Sequence, residues 1–164
     1  MIIATGRYLQ FAERLVADLL AVGPFVGGSP VVHLFTDAGA GALKQVDQAV
    51  DLRVFDTPAL RWPEASLLRY DLFSKAADRL DGGTLMYLDA DLRIHRDFTQ
   101  LLQPHTWPGS LAAVRHPGYF RRHQIRPRGT WETRRESTAY VPLLKRRSYV
   151  CGGVWMGARD QVLS

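Results

Sequence analysis

The chain has 164 residues, which is enough for one domain with a proper hydrophobic core. Apolar residues make up 46% of it and charged residues 23%, as in an ordinary globular protein, and no apolar stretch reaches the roughly 20 residues that a membrane-spanning helix needs. One cysteine, Cys151, excludes an internal disulfide framework and fits a reducing compartment. The first residues show no signal-peptide pattern, so we expect a cytoplasmic protein or the core of a larger one.

The first part of the chain alternates strand and helix patterns. Ile2 to Thr5 predicts a short buried strand, and residues 7–22 carry their apolar side chains at helical spacing. Glycines and prolines at 23–30 end that helix. The stretch "VVHLFTD" (31–37) predicts a second strand, and 51–57 predicts a third.

The second part begins with a predicted helix from Trp62-Pro63 to about Leu80. It leads into "TLMYLDADLRI" (84–94), an apolar strand that ends in two aspartates. A short helix around 98–102, a strand at 110–116, a long irregular segment at 117–147 and a strand at 149–158, broken by paired glycines, follow. This order predicts a single α/β domain over 1–164 with a mostly parallel central sheet.

Asp89 and Asp91 stand one residue apart at the end of the predicted strand. Residues i and i+2 of a strand share a face, so the two carboxylates should lie side by side while Ala90 points away. Two like charges that close favour a bound cation, and carboxylate oxygens suit magnesium or manganese. The alternative is an exposed pair that is neutralised by the nearby basic residues Arg93, His95 or Arg96.

The net charge of +5 is concentrated after residue 114. Such a block favours anionic partners, namely nucleic acid, lipid headgroups or phosphorylated sugars, or it is a solvated loop. No nucleic-acid-binding motif accompanies the charge, so we expect no nucleic acid and retain peripheral association of the region 115–147 with the inner face of a membrane. The basic residues are Arg115, Arg121, Arg122, Arg126, Arg128, Arg134, Arg135, Lys145, Arg146 and Arg147.

Seven segments, in order along the chain, carry a resemblance to a known family. They are "IATGRYLQF", "VVHLFTD", "RWPEASLLRYDLF", "YLDADLRI", "RHPGYF", "WETRRESTAYVP" and "YVCGGVWMG". With them the chain resembles glycosyltransferase family 6, the α-1,3-galactosyl- and N-acetylgalactosaminyltransferases that include the ABO blood-group enzymes. The resemblance implies a GT-A (Rossmann-like) fold, a UDP-sugar donor, an oligosaccharide or glycolipid acceptor, and transfer with retention of anomeric configuration.

The resemblance also implies which residues bind the donor. Asp89 and Asp91, with Ala90 between them, match the family's Asp-x-Asp, which joins Mn²⁺ (or Mg²⁺) to the UDP diphosphate. Ile3, Thr5 and Tyr8 fall where the family contacts uridine. A strand end that turns at Gly6 lets the backbone approach a flat base, and the Tyr8 ring is available for stacking unless it only packs on the helix face.

Two further parts of the donor site are implied in the same way. Arg69 matches an arginine close to the donor sugar, with a surface ion pair as the alternative, and Ala65 lies where the family contacts the nucleotide. Cys151, Gly152 and Gly153 fall in the segment that sets donor choice. Gly153 leaves room beside the sugar's C2 and so favours UDP-GalNAc over UDP-galactose, although paired glycines also mark bulges or close backbone approach.

The chain matches fewer of the residues that bind the acceptor in this family. His116 corresponds to the family's acceptor-contacting histidine, and Thr130 and Trp131 align with its acceptor-binding loop. The family's catalytic glutamate lies beyond Ser164, so no catalytic residue is assigned and the chain is expected to lack the family's C-terminal part. A UDP-sugar-binding fragment without transferase activity is therefore the alternative function.

Overall fold

Three parallel strands form the N-terminal sheet, in the order β1 (Ile2–Ile3), β2 (Val31–Thr36) and β3 (Asp51–Asp56). The computed structural model describes residues 1–23, 30–43, 50–98, 100, 111–119 and 129–164. The register pairs Ile2 with Leu34, and Leu34 with Val54. These are the three strands that the apolar runs predict, each slightly shorter at its carboxyl end.

The C-terminal sheet is antiparallel, with β4 (Thr84–Leu88), β6 (Val150–Ala158) and β5 (Leu111–Arg115) in that order. The prediction of a mostly parallel sheet therefore holds only for the N-terminal half. Both neighbours of β6, β4 and β5, run antiparallel to it. β6 is continuous through its paired glycines, and the irregular register lies between Ala113 and Arg115 of β5.

Two hydrogen bonds link β1 to β4. The amino group of Met1 donates to the carbonyl of Met86 at 2.6 Å, and the Leu88 N–H donates to the carbonyl of Met1 at 3.1 Å. This is the hydrogen-bond pattern of a parallel pair, so the carboxyl ends of β1 and β4 lie at the same edge. Ligands of α/β sheets bind outside that edge.

Four α-helices accompany the described strands: α1 (Leu9–Ala21), α2 (Glu64–Leu67), α3 (Arg69–Lys75) and α4 (Arg159–Val162). A 3₁₀ turn at Gly6–Tyr8 precedes α1, and another at Ala77–Arg79 follows α3. The prediction of one helix from residue 62 to 80 is wrong, because the helix breaks at Leu68 (φ −93°, ψ 0°). Its apolar spacing runs unchanged across the break, so the pattern could not reveal it.

Side chains alternate between two apolar clusters, one on each face of the strands. Leu15 and Val16 of α1 pack with Ile2 and Leu34 on one face. Phe73 of α3 packs on the other face with the residues that alternate with these, Ile3, Phe35, Phe55, Leu85 and Tyr87. Helices thus cover both faces, as the sequence predicts for an α/β fold.

Some sequence predictions fall on residues outside the described ranges. They are most of the short helix around 98–102, namely residues 99, 101 and 102, and the basic residues Arg121, Arg122, Arg126 and Arg128. Within the described part of the chain, no helix combines the length and apolar character needed to cross a bilayer.

Candidate functional site

A cavity of about 270 Å³ opens where the carboxyl ends of β1 and β4 meet. The end of β1, the turn before α1, the start of α2 and the residues after β4 supply its walls. Of the residues with a predicted donor-binding role, seven line it: Ile3, Thr5, Tyr8, Ala65, Asp89, Ala90 and Asp91. Three chain segments far apart in sequence, 3–8, 60–66 and 87–91, therefore converge on one cavity.

One side of this cavity is formed by Thr5 and Tyr8. The Thr5 hydroxyl donates to the Leu60 carbonyl at 3.1 Å and accepts from the Leu60 N–H at 3.2 Å, which fixes one wall. Gly6 adopts φ +54°, a conformation that favours glycine, and its N–H donates to Asp37 at 2.9 Å. Tyr8 is 37% exposed and lines the cavity, while its ring centre lies 5.7 Å from that of Phe11 on α1.

Asp89 and Asp91 line the cavity from a turn that follows β4, and not from the strand itself. β4 ends at Leu88, and the Leu92 N–H donates to the Asp89 carbonyl at 3.2 Å, which closes a turn. The argument from a shared strand face is therefore wrong, because the strand stops before the first aspartate. Both residues still line the cavity, and Ala90 between them is buried against the α1 side of the core.

The carboxylate of Asp89 is held on one of its two oxygens. The Tyr87 hydroxyl donates to Oδ1 at 2.6 Å, and Arg69 Nη2 lies 3.8 Å from the same oxygen. Burial, reinforced by the hydrogen bond to Asp89, raises the pKa of Tyr87, so the phenol stays a donor. No described residue donates a hydrogen bond to Oδ2, and the exposed Asp91 side chain has no hydrogen bond or ion pair to the described chain.

Arg69 is 6% exposed, so the alternative of a surface ion pair is wrong. Its Nε donates to the Ser66 carbonyl at 3.1 Å, and Nη1 donates to the Gly152 carbonyl on β6. The guanidinium carbon lies 4.6 Å from the centre of the Tyr87 ring. A buried cation needs such partners, and through them Arg69 connects α3 to β6 beside the Asp89 carboxylate.

Arg93 does not neutralise the aspartate pair. It forms an ion pair with Asp18 of α1 at 2.6 Å, and the Ile94 N–H donates to the same carboxylate at 3.0 Å. The hydrogen bond from Arg93 lowers the pKa of Asp18 to about 2. These contacts anchor the chain after Asp91 to α1 and leave the Asp89–Asp91 pair without this basic partner.

The paired glycines of β6 lie beside the aspartates without lining their cavity. The Gly153 carbonyl accepts from the Asp89 N–H at 2.9 Å. A Cβ at Gly153 would lie 3.0 Å from Asp89 Cγ and still closer to Oδ2, whereas a Cβ at Gly152 would meet only Arg69 Nη1 at 3.6 Å. The reading of close backbone approach is therefore correct for Gly153, and the neighbour that requires it is Asp89.

Cys151 and Gly152 line a second cavity, of about 470 Å³, next to β5 and β6. Tyr70 and Trp155 stack there with ring centres 5.7 Å apart. Residues 151–153 thus lie beside both cavities, with Gly153 facing the Asp89 carboxylate.

The predicted acceptor residues His116, Thr130 and Trp131 form a separate cluster around Tyr149. Thr130 Oγ1 lies 2.6 Å from the Tyr149 hydroxyl, and the Trp131 ring meets the Tyr149 ring edge-on at 5.3 Å. The His116 ring lies 5.8 Å from it, and the His116 N–H donates to the Tyr149 carbonyl at 2.9 Å. Sequence reasoning missed Tyr149, although its place just before the donor-choice segment was a usable signal.

The His116 ring accepts a hydrogen bond within the turn that follows it. Its Nδ1 accepts from the Gly118 N–H at 3.1 Å, so in the neutral ring the proton lies on Nε2. None of these acceptor-side residues lines the cavity that holds the aspartates.

Over the described ranges, no three or more His, Cys, Asp and Glu side chains are grouped to hold a metal ion. Comparison of the sequence with models of known protein families and with curated proteins found no match.

Proposed function

We propose that this chain is the donor-binding portion of a retaining glycosyltransferase of the GT-A fold, which moves galactose or N-acetylgalactosamine from a UDP-sugar to a hydroxyl of a glycan acceptor in α-1,3 linkage. One observation carries the proposal. Seven residues to which the family resemblance gives donor-binding roles lie around a single cavity at the carboxyl ends of β1 and β4. The identity of the ligand, a UDP-sugar, comes from the family resemblance that the seven ordered motifs carry.

The donor set fits a hard divalent cation, Mn²⁺ or Mg²⁺. Asp89 has one oxygen without a described donor, and Asp91 is exposed and unpaired within the described chain. Two carboxylates leave most coordination positions to phosphate oxygens and water, as is usual for magnesium beside a diphosphate. When bound, such a cation neutralises the diphosphate and makes it a better leaving group.

The other residues of the site bind and orient. Tyr87 keeps the Asp89 carboxylate in one rotamer, and the buried charge of Arg69 lies close to where an anionic group would bind. Tyr8 offers an exposed ring to a base, and the small Ala65 leaves space for the nucleotide. By the family resemblance, a glycine at position 153 favours UDP-GalNAc as the donor.

The acceptor, an oligosaccharide or glycolipid, is assigned to the cluster of His116, Thr130, Trp131 and Tyr149. Aromatic rings beside a fixed imidazole and a hydroxyl suit a sugar, which presents both C–H faces and hydroxyl groups. No described carboxylate is assigned as nucleophile for the retaining step.

A UDP-sugar-binding fragment without transferase activity is the second candidate, and the unassigned nucleophile favours it. The two candidates differ in turnover. Release of UDP from UDP-GalNAc in the presence of Mn²⁺, with and without acceptor sugars, supports the enzyme, whereas binding with no release over long incubation supports the fragment.

Calorimetric titration of UDP, with and without Mn²⁺, tests the site itself. We expect Mn²⁺ to strengthen binding and Asp91→Asn to weaken the Mn²⁺-dependent affinity by about tenfold or more, since a ligand carboxylate is lost. Asp160→Asn on α4, a carboxylate whose side chain is 90% exposed, is the matched control and should bind like the parent. Equal UDP affinity with and without the metal would show that the Asp-x-Asp assignment is wrong.

A further inference from the structure

Two adjacent leucines project into solvent at the tip of a short 3₁₀ turn, Leu143–Lys145. Leu143 is 73% exposed and Leu144 is 92% exposed. Single exposed leucines are common on protein surfaces, but two in succession that are followed at once by Lys145, Arg146 and Arg147 combine apolar and cationic groups in five residues. Amphipathic membrane anchors carry this combination.

Hydrogen bonds at its base order the turn. The Val141 N–H donates to the Glu132 carbonyl at 3.1 Å, the Lys145 N–H donates to the Pro142 carbonyl at 2.9 Å, and Arg146 Nε donates to the Val141 carbonyl at 2.9 Å. The stem of Arg146 therefore folds back onto the base of the turn. Because the backbone of the turn is already ordered, insertion of the two leucines into an apolar environment costs little additional conformational entropy.

The charge around the turn is not cancelled locally. Within the described ranges, Lys145, Arg146 and Arg147 form no ion pair with an acidic side chain. Arg134, by contrast, is paired with Glu132 at 2.8 Å, and this pairing lowers the pKa of Glu132 to about 2. The leucines thus stand beside three cations that have no acidic partner among the described residues, while Glu132 is already paired with Arg134.

We infer that Leu143–Arg147 is a docking surface for an anionic lipid bilayer, with the leucines entering the acyl boundary and the cations facing the headgroups. A nucleic acid would engage the cations but would offer no apolar environment to the leucines, whereas an anionic bilayer satisfies both. This inference does not depend on the proposed glycosyl transfer.

The test is co-sedimentation of the protein with vesicles of phosphatidylglycerol and phosphatidylcholine in equal parts, and with vesicles of phosphatidylcholine alone. We expect binding to the anionic vesicles only. The Leu143→Ser/Leu144→Ser variant, whose charge is unchanged, should bind about tenfold more weakly. Lys145→Gln/Arg147→Gln should lose about fivefold for each cation removed.

Leu67→Ser is the matched control, since Leu67 on α2 is also 73% exposed and should not affect vesicle binding. Circular dichroism and a thermal melt confirm that each variant folds. Failure of the parent to bind anionic vesicles overturns the inference, as does unchanged binding by the leucine variant. It is also overturned if a DNA duplex competes with the vesicles for the protein and the cation variant loses binding to both DNA and vesicles while the leucine variant loses neither.

Discussion

Replacement of Gly153 by alanine tests whether the donor-choice segment and the Asp-x-Asp carboxylate are mechanically linked. The added methyl carbon would lie 3.0 Å from Asp89 Cγ, about 0.4 Å inside ordinary contact distance, and nearer still to Oδ2. Rotation of the carboxylate away from this methyl would disturb the 2.6 Å hydrogen bond from Tyr87 to Oδ1. Movement of β6 would instead disturb the bond from the Asp89 N–H to the Gly153 carbonyl.

Overpacking of this kind costs about 1 to 3 kcal/mol. If the site absorbs the cost by reorienting Asp89, the Mn²⁺-dependent affinity for UDP falls by roughly 5- to 150-fold. Binding of UDP-GalNAc and UDP-galactose should then weaken together. The family resemblance predicts in addition that the remaining activity of a full-length parent shifts toward UDP-galactose, because the methyl group crowds the N-acetyl substituent.

The assay is calorimetry with UDP and Mn²⁺, alongside a thermal melt. Gly152→Ala is the internal control, since its Cβ meets only Arg69 Nη1 at an ordinary 3.6 Å. We expect Gly152→Ala to bind UDP like the parent. If Gly153→Ala keeps both the parent affinity and the parent melting temperature, Asp89 does not limit this position and the steric reasoning fails.

Three further predictions each rest on one feature of a single side chain. Tyr87→Phe removes the donor to Asp89 Oδ1 and should weaken Mn²⁺-dependent UDP binding by roughly tenfold in calorimetry, and an unchanged dissociation constant would contradict that role. Burial lowers the pKa of His33 to about 4, so the unfolded chain takes up a proton below pH 6.5 while the folded chain does not. The free energy of unfolding should therefore fall by up to about 1.4 kcal/mol for each unit that the pH drops from 6.5 to 4. In urea unfolding at several pH values, His33→Leu should show a smaller dependence on pH over this range. An equal dependence in the parent and the variant would contradict the prediction. For the 2.6 Å contact of Tyr149 with Thr130, a double-mutant cycle with Tyr149→Phe and Thr130→Val should give a coupling of about 0.5 to 1 kcal/mol, and a value of zero would show that the contact contributes nothing.

The α/β class was predictable from the sequence, because periodicity is a local property. Apolar and β-branched runs placed each of the six described strands within a few residues of its observed bounds, and helical spacing located α1. The sequence also put Asp89 and Asp91 at the carboxyl end of a strand, and seven of the eleven residues to which the resemblance gives a donor role line one cavity there. The break at Leu68 was missed because Leu68 and Leu72 keep helical spacing on both sides of it.

The local pattern of side chains thus determined the strands, the two buried faces and the positions of the chemical groups in the chain. The tertiary structure decided the antiparallel course of β6, the burial of Arg69, the close approach of Gly153 to Asp89 and the gathering of the predicted acceptor residues around Tyr149. Each of these depends on partners distant in sequence: the contact from Arg69 to Gly152 spans 83 residues. A pattern of period two or 3.6 reports which face a residue occupies, but it carries no information about which distant residue will lie opposite.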